Sequence, residues 1–340
     1  MEELIQKSIV SLILVLAVIG IIAFYTNAAK SLVKLGFNNL IFFTLACIFF
    51  LLGVLLWVIS WAFLVRKFTP ISYKNLFLVG FSSLYGALTP VQLGTDALRS
   101  ISLKKHFQLS YFKSIAASMT AKGTKFLVIA IVFILVILMF LSRQVIDSVI
   151  FFSLISGFIV ILLASTLFLL PLNKRISIKL SQFFKRLGRI IPLFEKIGKF
   201  FLDYSSYMKK FSLNAIIYVF LLGFLSWVFE FLALQFTFFA VLPEEKNLGL
   251  IPILVLFVLI SVLERTPFLP RGIGVVEFIG FTYLNMVSRL VTSLQVSQIG
   301  AVLILYDVVR LIIPTILSLI IAFAFKVEAK ESELHHSKKY

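Results

Sequence analysis

The chain has 340 residues, 61% of them apolar, with a formal net charge of +17 and a single cysteine, Cys47. Apolar content this far above the roughly 45–50% of soluble domains excludes an ordinary globular fold, and one cysteine excludes a disulfide framework or a cysteine-based metal site. The positive charge reads as Lys and Arg gathered in loops beside anionic lipid, not as a nucleic-acid surface.

In chain order, Met1–Lys7 carries Glu2 and Glu3 and lacks the basic n-region and small-residue cleavage site of a signal peptide, so Ser8–Tyr25 reads as a retained span. A second span covers Leu40–Val65. Leu76–Leu88 is apolar but too short to cross a hydrocarbon layer of about 30 Å, and it runs into Pro90-Val91-Gln92-Leu93-Gly94. A polar helix starts after Thr95 and carries Asp96 and Arg99. Spans follow at Ile115–Leu141, with Lys122 and Lys125 on one face, and at Val149–Leu170. Asn173–Leu213 is strongly basic; Phe183, Leu187, Ile190, Phe194, Ile197 and Phe201 recur in it at helical spacing, and Pro192 divides it into two helices. An apolar stripe opposite Lys and Arg suits a helix lying on an anionic leaflet, although an ordinary connector is the plainer reading. Asn214–Val241 is the next span and holds Glu230, either a proton carrier or a hydrogen-bonding group. Leu250–Leu263 repeats the short design and runs into Pro270-Arg271-Gly272-Ile273-Gly274, followed by Glu277. The last span, Ile299–Phe325, carries Asp307 and Arg310, and the tail holds His335 and His336, a pair too weak to indicate a metal.

Proline and glycine together interrupt a helix. The backbone groups they free at membrane depth are tolerated only where they line a cavity or are buried in protein. Each short unit therefore predicts a hairpin that enters and leaves on one side. The expected fold is all-α: a polytopic membrane protein of six transmembrane helices plus two re-entrant broken-helix hairpins. Residues 1–340 form one transmembrane domain, with half one at 1–147 and half two at 148–325, each ordered span, span, hairpin, span. The halves start on opposite sides, which makes an inverted repeat, and a matched pair of broken segments in such a repeat points to a transport site. The basic residues place the linker 173–213, the tail 326–340 and both termini on the cytoplasmic side of the cell membrane.

Charge at mid-bilayer costs at least about 2.5–3.5 kcal/mol per residue, so each ionisable group at depth needs a partner or a wet cavity. The candidate head-group ligands are Pro90, Gly94, Asp96, Arg99, Lys122, Lys125, Pro270, Arg271, Gly272, Gly274, Glu277, Asp307 and Arg310. Helix N-termini exposed at the breaks, together with these cations, suit an anion such as a phosphate head group. The competing reading is internal pairing: Asp96 with a lysine, Glu264 or Glu277 with Arg271, and Asp307 with Arg310. Neither a metal nor a cofactor is expected; the expected partner is anionic membrane lipid.

The run Leu88-Thr89-Pro90-Val91-Gln92-Leu93-Gly94-Thr95-Asp96-Ala97-Leu98-Arg99 resembles the "Pro…Gly…(Leu)Arg" element of the lysylphosphatidylglycerol synthase transmembrane (flippase-like) family. Leu269-Pro270-Arg271-Gly272-Ile273-Gly274-Val275-Val276-Glu277 resembles its second element, "Pro-x-Gly-(Ile/Leu)-Gly-x-x-Glu". Ile115–Lys125 is similar to the following family stretch, with Lys122-Gly123 where the family usually has an acidic-Arg pair. The resemblance runs from about Leu40 to Phe325. It implies a stand-alone lipid flippase or translocase, moving a phosphate-head-group lipid of phospholipid or polyprenyl-phosphate type between leaflets. A separate lipid-synthesising or glycosyltransferase enzyme is the implied protein partner. The alternatives are the membrane part of a lipid aminoacyltransferase or lipid-linked glycosyltransferase system, or a subunit that recruits a synthase. The chain's own residues lean away from an enzyme: the linker is smaller than a domain that folds alone, and no glycine-rich phosphate loop is present.

Overall fold

The computed structural model describes residues 2–88, 94–143, 148–189, 191–242, 248–264, 270–291 and 294–324. All regular structure among them is helical. Hydropathy decides most of it: Phe37–Arg66, Tyr111–Met139, Leu154–Leu172, Leu213–Val241 and Val296–Ala324 are long and apolar enough to cross a membrane. These match five of the six expected spans. The sixth, Ser8–Tyr25, lies within α1 (Glu2–Thr26), a 25-residue helix apolar over Leu12–Thr26. The protein is an all-α polytopic membrane protein.

After α1 come α2 (Ala29–Leu32), α3 (Phe37–Arg66) and α4 (Tyr73–Ser82). A tight 3-10 segment, Leu84–Leu88, leads to the first break, and α5 (Gly94–Phe107) follows it. Then come α6 (Tyr111–Arg143), α7 (Ser148–Leu169), α8 (Lys174–Gly188), α9 (Pro192–Met208), α10 (Leu213–Val241) and α11 (Leu250–Leu263). Another tight turn, Pro270–Gly272, leads into α12 (Val275–Val291). The last helix, α13 (Val296–Asp307), passes through a π-turn at Val308–Ile312 and continues to Ala324. The 14 residues of α11 rise about 21 Å, short of a bilayer, and α11 packs against α12 as two arms of a hairpin. Pro90 to Leu93, Arg265, the Glu244–Lys246 loop and the tail lie outside the described residues.

The chain divides into two compact units. Unit 1 comprises Met1–Leu55, Phe77–Leu98 and Val228–Tyr340. Unit 2 comprises Leu56–Leu76 and Arg99–Trp227. Each draws on sequence from both sides of residue 147.

In unit 1 the segment Leu84–Leu88, just before the first break, touches the turn Pro270–Gly272 of the second. Leu88 from the first and Ile273 from the second share a buried apolar cluster with Val15 of α1 and Leu311 of the last helix. The Tyr85 N–H donates to Ser318 Oγ at 2.9 Å, so backbone freed at the first break is satisfied by the last helix. Phe49 of α3 stacks between Phe229 and Phe236 of α10.

In unit 2, α6 and α7 pack closely, and Ser165 Oγ donates to the Gly123 carbonyl at 3.1 Å. The linker departs from the single surface stripe its spacing suggests. Pro192 starts α9 as expected, but α9 folds back on α8 as a helical hairpin. Phe184 stacks on Phe194 and Phe201 inside it. The physical reason is that two amphipathic helices bury apolar area on each other as readily as on a leaflet. α9 also packs on α6, and its Tyr204 Oη donates to the Phe168 carbonyl at the end of α7 at 3.0 Å; burial raises the Tyr204 phenol above its ordinary range.

Candidate ionic site at the helix breaks

The second break owes its shape to two positive-φ residues, Arg271 (φ 47°) and Gly272 (φ 68°). Gly272 cannot carry a side chain, because a Cβ there would run into the Leu263 carbonyl oxygen. At the first break the constrained glycine is Gly86: a Cβ there would lie 2.6 Å from the Gly94 carbonyl carbon and 2.7 Å from Thr95 N. The backbone of Leu84–Leu88 thus rests directly on the start of α5. Gly94 and Gly274 stand out in the sequence, and Gly274 does take φ 86°, but Gly86 carries no motif signal and is visible only in the fold.

The second break meets the last helix at Arg310, whose side chain is 0% exposed. A guanidinium has five N–H donors in a fixed fork. Nε donates to Asp307 Oδ1 at 2.9 Å. Nη1 donates to Glu264 Oε1 at 2.9 Å and more weakly to the Arg271 carbonyl at 3.4 Å. Nη2 donates to Glu277 Oε1 at 2.6 Å and lies 2.8 Å from Asp307 Oδ1. Every donor of Arg310 is therefore committed within the protein. The Asp307–Arg310 pair is the one its spacing of three suggests. Of the two acids offered to Arg271, Glu277 bonds to the more deeply buried Arg310, and Glu264 is shared between the two arginines. Arg271 Nη2 approaches Glu264 Oε2 at 4.0 Å. Glu277 Oε2 also accepts from the Gly274 N–H, capping the entry to α12, where an anion is favoured by the helix dipole.

Pro314 explains how Arg271 is held. A proline four residues after Arg310 has no N–H to give the Arg310 carbonyl. The helix relaxes into the π-turn, with the Ile313 N–H bonding to the Val308 carbonyl. The Arg310 carbonyl is left open, and Arg271 Nη1 donates to it at 2.6 Å. Arg271 remains 21% exposed at its side chain, in contrast to the fully enclosed Arg310.

Sequence candidates thus gather in two groups, one in each unit. Unit 1 holds Gly94 and Asp96 at the start of α5, and Arg271, Gly272, Gly274, Glu277, Asp307 and Arg310 around the second break. Pro270 begins the turn there, and Pro90 lies outside the described residues. Unit 2 holds Arg99, Lys122 and Lys125. The Arg99 guanidinium carbon lies 4.2 Å from the Trp57 ring centroid and 4.5 Å from that of Trp61, two indoles one helical turn apart on α3. Arg is well suited to such stacking because its charge is delocalised and weakly hydrated. Lys125 Nζ donates to Ser226 Oγ at 3.2 Å, and Lys122 is half-buried one turn earlier on α6. Sequence reasoning missed Trp57, Trp61, Ser226 and Pro314 as members of these groups. Only Pro314 left a local signal, a proline four residues after a charged one inside a span.

No curated protein and no solved structure matches the chain. A family model does: the one described as lysylphosphatidylglycerol synthase TM region matches residues 8–318. With the breaks, the buried arginine cluster and nearly the whole chain inside that match, the protein belongs to the lysylphosphatidylglycerol synthase transmembrane-region family.

Proposed function

We propose that this chain is a lipid translocase that moves a lipid with a phosphate-bearing head group between leaflets of the cell membrane. The carrying observation is the contact, within one unit, of the segment leading to the first break with the turn of the second, beside a buried ionic cluster that leaves Arg271 partly open. A broken helix at depth serves transport when its freed backbone lines the path of a polar group. Family membership supports a lipid as the cargo, since the matched family is the membrane region of a lipid-modifying system. Arg271 is assigned as the head-group ligand, because its guanidinium can fork two donors onto phosphate oxygens. Arg310 is assigned as its anchor. Arg99, Lys122 and Lys125, which belong to the other unit, are kept as candidate contacts of an anionic head group on charge alone. The basic linker and both termini are assigned to the cytoplasmic side.

Reconstitution tests this reading. Purified protein in vesicles carrying a fluorescent phosphatidylglycerol should let an impermeant quencher bleach more label than the outer leaflet holds. Arg271→Lys should slow that loss. Bleaching no greater than in protein-free vesicles, across phosphatidylglycerol, its lysyl ester and a polyprenyl phosphate, would overturn translocation. Co-purification of a synthase in that case would favour the recruiting-subunit alternative.

A further inference from the structure

The linker hairpin has a face that its own fold does not use. α8 turns Ser181 and Phe184 toward α9, where Gly198 comes close to the Ser181 carbonyl and the Phe184 Cβ, and Ser177 is buried against the turn at Pro171. The next strip around the helix is apolar: Ile176, Leu180, Phe183 and Leu187. α8 packs against α9 and the turn Leu170–Leu172, and α9 lies between it and α6 in the order of contacts. Phe183 is left 57% exposed, while the rest of that strip is half-buried. Lys179 and Arg186, both exposed, border Phe183 on the side away from α9. Glu195 and Asp203 are the acidic residues of the hairpin, against exposed Lys174, Arg175, Lys185, Arg189, Lys196 and Lys199.

Tethering fixes what such a face meets. α7 ends at Leu169, and α8 starts at Lys174 after one tight turn. α9 ends at Met208, and α10 starts at Leu213. Since α7 and α10 are membrane spans, both ends of the hairpin emerge at a bilayer surface and cannot leave it by more than a few residues. We propose that α8 docks on the adjoining anionic leaflet, with Phe183 and its apolar strip among the acyl-chain boundary and Lys179 and Arg186 on lipid phosphates. Lys and Arg stems lie along apolar surface while their charged ends reach head groups, so the two kinds of side chain act together. The surface selects anionic lipid by charge and does not depend on the transport role of the breaks.

Spin labels on the full chain test it. Phe183→Cys and Gln182→Cys are made in a Cys47→Ser background and placed in nanodiscs of phosphatidylcholine, or of phosphatidylcholine with phosphatidylglycerol. The two positions are about 100° apart around the helix. With phosphatidylglycerol present, the label at 183 should be relaxed by oxygen and shielded from a water-soluble nickel chelate, and the label at 182 should behave oppositely. Without phosphatidylglycerol, or with Lys179→Gln and Arg186→Gln added, the shielding at 183 should be lost. A label at 183 open to nickel in the anionic discs overturns docking. Shielding from both reagents overturns it in favour of a protein cover, and equal immersion in both lipids overturns the selection for anionic lipid.

Discussion

Arg310 and Arg271 touch the same carboxylate, Glu264, yet their surroundings set them apart. Removing Arg310 strips Glu264, Glu277 and Asp307 of their shared partner, leaving buried carboxylates uncompensated. Loss of one member of a buried pair costs about 3–5 kcal/mol, so Arg310→Met should give the largest fall in thermal stability in detergent of any substitution in the cluster. Arg271→Lys should barely move that melting temperature, because the side chain is partly open and keeps its charge, while lipid movement falls. As a possible partner of Arg271, the pairing its place in the sequence suggests, Glu277 would lose one contact in Glu277→Gln. With Glu277 bonded to Arg310 and to the Gly274 N–H, it should instead destabilise more than Arg271→Lys does. Equal melting temperatures for the two variants would contradict this ordering.

Helix breaks belong to elements and not to single residues, and their design is testable at that scale. Gly272→Ala would place a Cβ against the Leu263 carbonyl in a left-handed backbone, a strain of about 1–2 kcal/mol before any clash. Its yield of folded protein should drop, and Gly86→Val should do the same at the first break. Pro314→Ala has the opposite character. It returns an N–H to the Arg310 carbonyl, allows a regular helix and gives Arg271 a competitor for that acceptor. The variant should be at least as stable as the parent but translocate poorly, with slower amide exchange at residues 308–314. A regular, stable and fully active Pro314→Ala protein would show that the π-turn does not matter for transport. The breaks and spans were legible in the sequence because their causes are local: hydropathy within one window, and proline and glycine within five residues. Asp307 beside Arg310 was legible for the same reason. Glu264 and Glu277 on Arg310 were not, since these contacts join residues 46 and 33 positions apart and only packing selects among the available acids. The fold-back of α9 on α8 was hidden differently: an apolar stripe records that it is buried, not by what.

Across the whole molecule, the basic linker is the reference from which the topology is counted. Cysteine at Lys185 should resist an impermeant thiol reagent applied to intact cells, and cysteine at Asn27 should react, both in a Cys47→Ser background. Labelling of position 185 from outside would reverse the assigned orientation. The composition of unit 1 has a further consequence, in time. Its first break is closed by Ser318, which bonds to Tyr85 across 233 residues of chain. At about 5–20 residues per second of synthesis, that partner arrives on the order of 10–50 s after Tyr85 itself. For most of that interval Leu88 also lacks Ile273, and for nearly all of it Leu311. Unit 1 is therefore completed only once the last helix is made, and a chain that stops before Ser318 cannot close its first break in this way.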